Sequence, residues 1–363
     1  MNAEFIEALE EIEREKGISQ DIIFDALESA LISGYKKNFG SSQNVNVEID
    51  KVTGEVKVFA KKVVVDEVEN KFLEINIEEA KKVDDKFQLE DIVNLEVTPK
   101  NFGRIAAQTA KQVVMQKIKE AERDVIFGEF IDRENEIITG LVQRVSKNVA
   151  YIDLGRTEGI LPPNEQIEGE IYKQGDRLKL YILEVKKTTK GPQIILSRSH
   201  PDLVKRLFEL EVPEIHEGIV DIYAISREAG SRTKMAVSSK DSNVDPVGAC
   251  VGFKGSRVKA IVDELNGEKI DIVVWSKDMD EFIANSLSPS KALKVELNEV
   301  EKSAVVVVPD YQLSLAIGKE GQNARLAAKL TNWKIDIKNE SQYKEEKEGL
   351  EEDDSPINNN GGV

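Results

Sequence analysis

The sequence has few of the residues that build disulfides, metal clusters and membrane spans. Its 363 residues include one cysteine, Cys250, and two histidines. One cysteine excludes a disulfide within the chain, and so few histidines leave a zinc cluster without ligands. No apolar run approaches the about 20 residues that cross a bilayer, and the acidic N-terminus does not resemble a signal peptide. We therefore expect a cytoplasmic protein, not attached to a membrane, that needs no metal or other cofactor.

Net basic charge is also lacking, and the acidic excess is concentrated at the two ends. The formal net charge is −17. Residues 1–100 carry 13 basic and 23 acidic groups, a balance of −10, and residues 341–363 carry 2 and 7, a balance of −5. Residues 131–200, with 11 and 10, are nearly neutral. Simple solubility, repulsion of stray nucleic acid and docking on a basic protein all stay open as interpretations of the acidic ends.

A pattern near the C-terminus occurs twice. Each copy has a Gly-x-x-Gly tetrad, Gly252–Gly255 and Gly318–Gly321, then a helical pattern and a Lys-Ile-Asp-Ile segment that begins at Lys269 or Lys334. Register between the copies drifts by only one residue, which indicates two copies of one small unit. Glycines let a sugar-phosphate backbone approach closely, and the helix that follows points its N–H groups at that backbone. One tetrad alone is usually an ordinary helix–helix turn, but the repeated flanks favour a nucleic-acid clamp.

The repeated unit resembles the KH domain, whose GXXG loop holds about four nucleotides of a single strand. The predicted element order, α-β-β-α-α-β, is that of the bacterial form, and it occurs in residues 201–276 and again in residues 277–344. Because the linker 287–290 is short, we expect the two copies to pack as one rigid body. The RNA-binding residues that the resemblance implies are Gly252, Phe253, Lys254, Gly255, Arg257, Lys259, Gly318, Lys319, Glu320, Gly321, Gln322 and Arg325.

Residues 1–128 are predicted to form an α+β domain that ends in one long helix. Apolar patterns predict helices at 3–16 and 20–38, a break at 40–43, a hairpin around Thr53 and Gly54, and strands at 62–68, 72–77 and 92–97. The segment 102–127 contains no proline and is predicted to be helical. Its apolar stripe is Ala107, Ala110, Val114, Ile118, Ala121 and Val125. Arg104, Gln108 and Lys111 lie on the opposite side, where a solvated face is the plainer interpretation.

Residues 131–199 are predicted to form an OB-fold barrel, because five short strands are separated by turn residues. The segments AYIDLG, GILPPNEQ, YKQGDRLKLYI and QIILSRSHP resemble the S-one motif, an RNA-binding barrel. Where that motif usually has two aromatics and a histidine, this chain has Asn148, Tyr151 and Pro162, so only Tyr151 keeps a stacking face. Binding is expected to depend on charge. The candidate cations, each of which taken singly is most often a plain surface residue, are Arg144, Lys147, Arg156, Lys186, Lys187 and Lys190.

The whole order, an α+β domain, an S-one barrel and two KH units, is similar to that of the NusA family of bacterial transcription elongation, termination and antitermination factors. The resemblance implies that residues 1–128 bind core RNA polymerase beside the RNA exit channel, near the flap of the β subunit. It also implies a face for the nascent RNA hairpin at Lys36, Lys37, Arg104 and Lys111, and a path for single-stranded RNA over the barrel and the KH pair. Such a factor modulates pausing and is no enzyme. We expect a monomer, further Nus-type antitermination factors as possible partners, and a disordered acidic tail at 345–363.

Two other classes share some of these modules. A phosphorolytic ribonuclease also joins KH and S-one units, but it places KH before the barrel and needs catalytic cores that this sequence lacks. A ribosome-assembly or RNA-chaperone protein is the alternative binding function. Co-purification separates them, because core polymerase subunits indicate the transcription factor and ribosomal particles indicate the alternative.

Overall fold

The computed structural model describes residues 3–39 and 44–353, so the predicted break at 40–43 lies outside the described residues. The chain divides into two compact units, residues 1–128 and 129–363. No described helix is long and apolar enough to cross a bilayer. The elements up to the long helix are α1 (Ala3–Lys16), α2 (Gln20–Phe39), β1 (Val45–Ile49), β2 (Val56–Val65), β3 (Glu74–Asn76), α3 (Ile77–Ala80), β4 (Ile92–Glu96) and α4 (Phe102–Ile131).

The first unit has two hydrophobic cores along one sheet. β2 is central and pairs with β1, β3 and β4. The larger core joins helices α2 and α4 to β1 and the first half of β2, with Leu27, Val47 and Phe102 fully buried. A smaller core, which includes Val64 and Val93, lies between the second half of β2, β3, α3 and β4. The sheet therefore carries helices at one end and a separate small α/β lobe at the other.

Two details of the first unit differ from the sequence prediction. The hairpin strand near residue 56 and the strand at 62–68 are one continuous strand, β2. It pairs with β1 over residues 56–60, with β4 over 59–63 and with β3 over 63–65. The predicted apolar stripe of α4 is wrong at both ends, since Ala107 is exposed and Val125 is 61% exposed. Phe102 and Ala106 are buried at the start of α4 instead. The buried face is therefore shifted by one residue, and Phe102 contacts Tyr35 of α2.

The second unit begins with the predicted five-stranded barrel, which the structure confirms. The strands close in the order β5-β6-β7-β9-β8. The side chains of Val142, Ile152 and Leu196 fill the interior and have no exposed area. The strands are β5 (Ile137–Ser146), β6 (Val149–Asp153), β7 (Glu158–Leu161), β8 (Arg177–Thr188) and β9 (Gly191–Ser197).

Two α-β-β-α-α-β units follow, as predicted, and each has a three-stranded sheet with one antiparallel and one parallel pairing. The first comprises α5 (Pro201–Glu211), α6 (Pro213–His216), β10 (Val220–Glu228), β11 (Arg232–Ser239), α7 (Pro246–Val251), α8 (Ser256–Glu264) and β12 (Lys269–Val274). The second comprises α9 (Met279–Ser286), β13 (Lys294–Asn298), β14 (Ser303–Val308), α10 (Leu313–Ile317), α11 (Gln322–Thr331) and β15 (Lys334–Asn339), and α12 (Glu340–Asp353) comes after it.

The barrel is joined to the first KH unit through a buried arginine. Arg198 follows β9 and its side chain has no exposed area. Its guanidinium pairs with Glu170 of the barrel and with Glu264 of α8, at 3.1 Å. It also donates to the carbonyl oxygens of Lys179 and Glu264, each at 3.0 Å. A buried charge is tolerated only with such partners, so the two domains share one polar joint.

The two KH units pack directly on each other. Ala236 and Val273 of the first unit share a buried cluster with Phe282 and Leu330 of the second. Beside this cluster the fully buried Lys234 donates through Nζ to the carbonyl of Ser288 in the linker, at 2.6 Å. Apolar burial and a buried hydrogen bond therefore hold the second KH unit against the sheet of the first KH unit.

The predicted disordered tail at 345–363 is wrong over its first part, because α12 continues the chain as a helix to Asp353. The start of α12 is anchored on the second KH sheet. The hydroxyl of Tyr343 bonds to Glu296, and the amines of Lys294 and Lys347 lie 5.2 and 5.0 Å from the centre of its ring. These contacts hold a segment whose composition alone indicates no structure. Residues 354–363 lie outside the described part of the chain.

Candidate nucleic-acid interface

The first Gly-x-x-Gly tetrad forms a tight, exposed turn between α7 and α8. Gly252 has φ +73° and ψ 177°, a region that is essentially restricted to glycine. A methyl group there would lie 2.7 Å from Cγ of Arg257. The two middle residues project outward, and Phe253 is 82% exposed. The loop therefore exposes its backbone at the first position, where no Cβ is in the way. It also exposes the side chains of its two middle residues.

The cations around the first loop fall into two kinds. Arg257 does not face solvent freely, because it donates to Glu214 at 2.8 Å and to the carbonyl of Ala249 at 2.6 Å. It braces the loop from inside. Lys254 and Lys259 are exposed, and no ion pair involves them in the described ranges. Lys254 Nζ lies 5.4 Å from the centre of the Phe253 ring, so the charge available to a phosphate comes from these two lysines.

The second loop repeats the first in backbone and differs in its support. Gly318 has φ +78° and ψ 172°, and Glu320, with φ +55°, takes the place of Lys254. A methyl group on Gly318 would lie 2.8 Å from the backbone nitrogen of Asn323. Asn323 holds the position of Arg257, and its buried amide donates to the carbonyls of Leu287 and Ala316 at 3.0 and 2.9 Å. The charge on this loop is therefore mixed, with Lys319 beside Glu320.

Gln322 and Arg325, which the resemblance implies as RNA-binding residues, contact the first KH unit. Gln322 Nε2 donates to Glu228 at 2.8 Å and to the hydroxyl of Ser231 at 2.7 Å. Arg325 forms an ion pair with Glu228 at 3.0 Å. Both residues thus fasten the start of α11 to the β10–β11 hairpin. No sequence pattern pointed to Glu228.

In the barrel, three of the six candidate cations form ion pairs with carboxylates that the structure shows directly. Arg144 lies 3.9 Å over the ring of Tyr151 and forms an ion pair with Glu158. The hydrogen bond with Glu158 is the main cause of the raised pKa of Arg144. Other candidates pair as Arg156 with Glu129 at 2.9 Å and Lys186 with Glu184 at 2.7 Å. Lys147 (φ +51°, in the turn after β5), Lys187 and Lys190 are exposed.

The first unit carries an exposed basic surface at the end of α2 and the start of α4. The rings of Tyr35 and Phe102 lie 5.9 Å apart, which brings the last turn of α2 beside the first turn of α4. Within the described residues, no ion pair joins a carboxylate to the members of this surface. They are Lys36, Lys37, Lys100, Arg104 and Lys111, and all are exposed. Lys100 was not among the residues predicted from the sequence, although its place two residues before α4 was an available signal.

Comparison with protein-family models accounts for nearly all of the described chain. The matches are the NusA N-terminal domain over residues 4–124, the S1 RNA binding domain (the S-one motif) over 131–199, the NusA-like first KH domain over 198–275 and the NusA-like second KH domain over 279–345. A protein of Bacillus subtilis called transcription termination/antitermination protein NusA is 59% identical over 360 residues, which are 98% of this chain and 97% of that relative. The chain belongs to the NusA family.

Further relatives carry the same name. The protein of Halalkalibacterium halodurans is 59% identical over 98% of this chain and 92% of its own length. That of Thermus thermophilus is 43% identical over 92% of this chain and 89% of its own length. The predicted family and domain types are thereby confirmed, and the ribosome-assembly alternative is not favoured. The roles of the individual RNA-facing residues in this NusA-family chain stay predictions.

Proposed function

We infer that this chain is a transcription elongation factor that binds RNA and acts in termination and antitermination. The observation that carries this inference is near-complete alignment, at 59% identity, with relatives of that name. The S1 barrel and the KH pair supply RNA-binding modules in one compact unit. The finer assignments that follow rest on the geometry of the described residues.

We propose that residues 1–128 bind RNA polymerase near the RNA exit channel, at the flap region of the β subunit. The small lobe supports a protein partner, because it exposes several large apolar side chains. Val63 and Ile92 are cross-strand partners on one face of the sheet and are 40% and 63% exposed. Phe72 and Leu89 of the same lobe are 48% and 49% exposed. Contiguous apolar surface on a domain commonly marks a binding site.

The basic surface at Lys36, Lys37, Lys100, Arg104 and Lys111 is the proposed contact for the nascent RNA hairpin. Cations without carboxylate partners suit the phosphates of a duplex stem, because releasing counterions drives such binding. The barrel and the two GXXG loops would then hold the single strand. Pausing would lengthen because the same molecule contacts both the polymerase and the RNA that leaves it.

The test uses the full chain with Val63 and Ile92 both changed to Lys. We expect at least a tenfold loss of affinity for core polymerase, since two charges must be desolvated in an apolar interface, and unchanged affinity for single-stranded RNA. The matched control is Val300→Lys in the second unit, where the side chain is 96% exposed. Wild-type polymerase binding by the double variant, or equally strong binding by residues 130–344 alone, would contradict the proposal.

A further inference from the structure

Both GXXG repeats carry a cation at one equivalent position, and the two cations differ in whether a carboxylate is paired with them. The residue seven positions after the first glycine of each tetrad is Lys259 in the first copy and Arg325 in the second. Lys259 is exposed, and no ion pair involves it in the described part of the chain. Arg325 is paired with Glu228, which belongs to the other KH unit. At this position, therefore, the cation of the second copy is already paired with a carboxylate, and among the described residues that of the first copy is not.

Arg325 lies against its own loop as well as against Glu228. Its guanidinium donates through Nη1 to the carbonyl of Glu320. A methyl group on Gly321 would lie 3.5 Å from the same nitrogen. The guanidinium therefore covers the face of the loop at its second glycine, where a phosphate backbone is expected to approach. A guanidinium binds phosphate and carboxylate with the same paired donors, so one group can replace the other.

Glu228 is held in place by the hairpin that carries it. Its carboxylate accepts from Arg325 Nε at 3.1 Å and from Gln322 at 2.8 Å. The hydrogen bond from Arg325 is the main cause of the lowered pKa of Glu228, so the group is charged at neutral pH. The next residues are fixed too, since Gly230 N–H donates at 2.8 Å to Glu268, which pairs with Arg227 where both side chains have no exposed area.

The hairpin tip also contacts the barrel. A methyl group on Gly230 would lie 2.4 Å from Cγ2 of Ile167. The tip therefore lies between the barrel and the second KH unit, with little space to move. Glu228 consequently presents a fixed negative charge to the second loop.

We propose that Glu228 competes with RNA phosphate for Arg325 and so weakens single-strand binding at the second GXXG loop. A strand binds first at the first loop, where Lys254 and Lys259 are available. It binds the second loop when a phosphate replaces the Glu228 carboxylate on Arg325. This inference rests on the proposed function of the loops as RNA clamps, and it adds a residue outside both loops that sets their relative affinity.

The experiment measures binding of a labelled single-stranded RNA, long enough to span both loops at about four nucleotides each, to the full chain at several salt concentrations. Glu228→Gln is expected to tighten binding by about two- to fivefold, the range of an exposed ion pair. It is also expected to steepen the log–log salt slope by about 0.7, one additional phosphate contact. Arg325→Gln should weaken binding, because Glu228 then repels the strand. The double variant, Glu228→Gln with Arg325→Gln, should show neither the tighter binding nor the steeper salt slope of Glu228→Gln.

The matched control is Glu209→Gln on α5. Glu209 and Glu228 are each 25% exposed and each pairs with an arginine, so both variants remove the same charge. Binding by Glu228→Gln no tighter than by Glu209→Gln, or a gain that persists in the double variant, overturns the inference. Asp at both middle positions of the first loop tests the underlying function separately: if that variant keeps wild-type affinity, the loops are not clamps. Circular dichroism verifies that each variant is folded.

Discussion

At the scale of single residues, a fully buried ion pair supports the β10–β11 hairpin that contacts the second KH unit. Arg227 and Glu268 pair at 2.8 Å and neither side chain has any exposed area. Glu268 also accepts from the hydroxyl of Thr233, at 2.5 Å, and from Gly230 N–H. Burial acts to raise the pKa of Glu268, but the hydrogen bonds and charge of Arg227 and its neighbours outweigh burial, and the pKa is lowered.

We predict that Glu268→Gln destabilises the second unit by about 3–5 kcal/mol, because it leaves a buried arginine without its counter-charge. Urea unfolding measures this. Asp221→Asn is the control, since Asp221 and Lys240 form an exposed pair worth about 0–1 kcal/mol. The contribution of Glu268 to the free energy of unfolding also depends on pH, with a definite sign. Because the pKa of Glu268 is lowered in the folded protein, its contribution is fully present above the ordinary value of 4.5. It is lost as the pH falls through the lower native pKa. Equal free energies for the two variants would contradict the prediction.

The sequence identified the glycines and cations of the candidate site but not the partners that neutralise them. Arg257 pairs with Glu214, 43 residues away, and Arg325 pairs with Glu228, 97 residues away. Spacing along a helix shows which cations share a face, whereas a distant carboxylate becomes a neighbour only after the sheets and helices have packed. For this reason the residue types were predictable from the sequence and their electrostatic state was not.

At the scale of elements, the two loops allow a direct test of clamping. We predict that Phe253→Asp with Lys254→Asp weakens single-stranded RNA binding more than Lys319→Asp with Glu320→Asp. The first pair removes an available cation and adds two negative charges, whereas Glu320 is already acidic. Each lost phosphate contact should flatten the log–log salt slope by about 0.7. Binding at several salt concentrations, with circular dichroism as the control of folding, measures both.

The control for this comparison is Val300→Asp with Glu301→Asp in the β13–β14 turn, where both residues are exposed. It adds negative charge to the same unit away from the tetrads. Folded loop variants that bind with wild-type affinity and slope would show that the tetrads are ordinary turns.

Element types and order were predictable because strands alternate and amphipathic helices repeat every 3.6 residues. The boundaries of β2 were not, since its pairing with β1 ends at Ala60 whereas its pairing with β4 and then β3 continues the strand to Val65. The helix α12 was not predicted either. Its acidic composition indicates disorder, and its anchor, the contact of Tyr343 with Glu296 on β13, joins residues far apart in sequence.

At the scale of the whole molecule, polymerase binding and RNA binding are proposed to use different surfaces. We predict that Arg104→Glu with Lys111→Glu leaves affinity for core polymerase nearly unchanged but shortens hairpin-dependent pauses, because the basic surface then repels the RNA stem. The two positions lie seven residues, about 10 Å, apart on α4 at 1.5 Å per residue. Pause lifetimes in a purified transcription assay measure the effect.

The matched control is Lys81→Glu with Lys82→Glu, which makes the same change of charge in the same unit at two exposed lysines after α3. Both double variants should have wild-type melting temperatures. If their pause lifetimes are the same, Arg104 and Lys111 belong to a solvated face.

The shared arginine between barrel and KH unit also has a consequence during synthesis of the chain. Arg198 and Glu264 are 66 residues apart, so the ribosome completes all five barrel strands well before it makes the second carboxylate. Until α8 has formed, the guanidinium can pair with Glu170 and with the carbonyl of Lys179 in the barrel but lacks both of its contacts with Glu264. We therefore expect the barrel to reach its final stability only after the chain has been synthesised as far as α8.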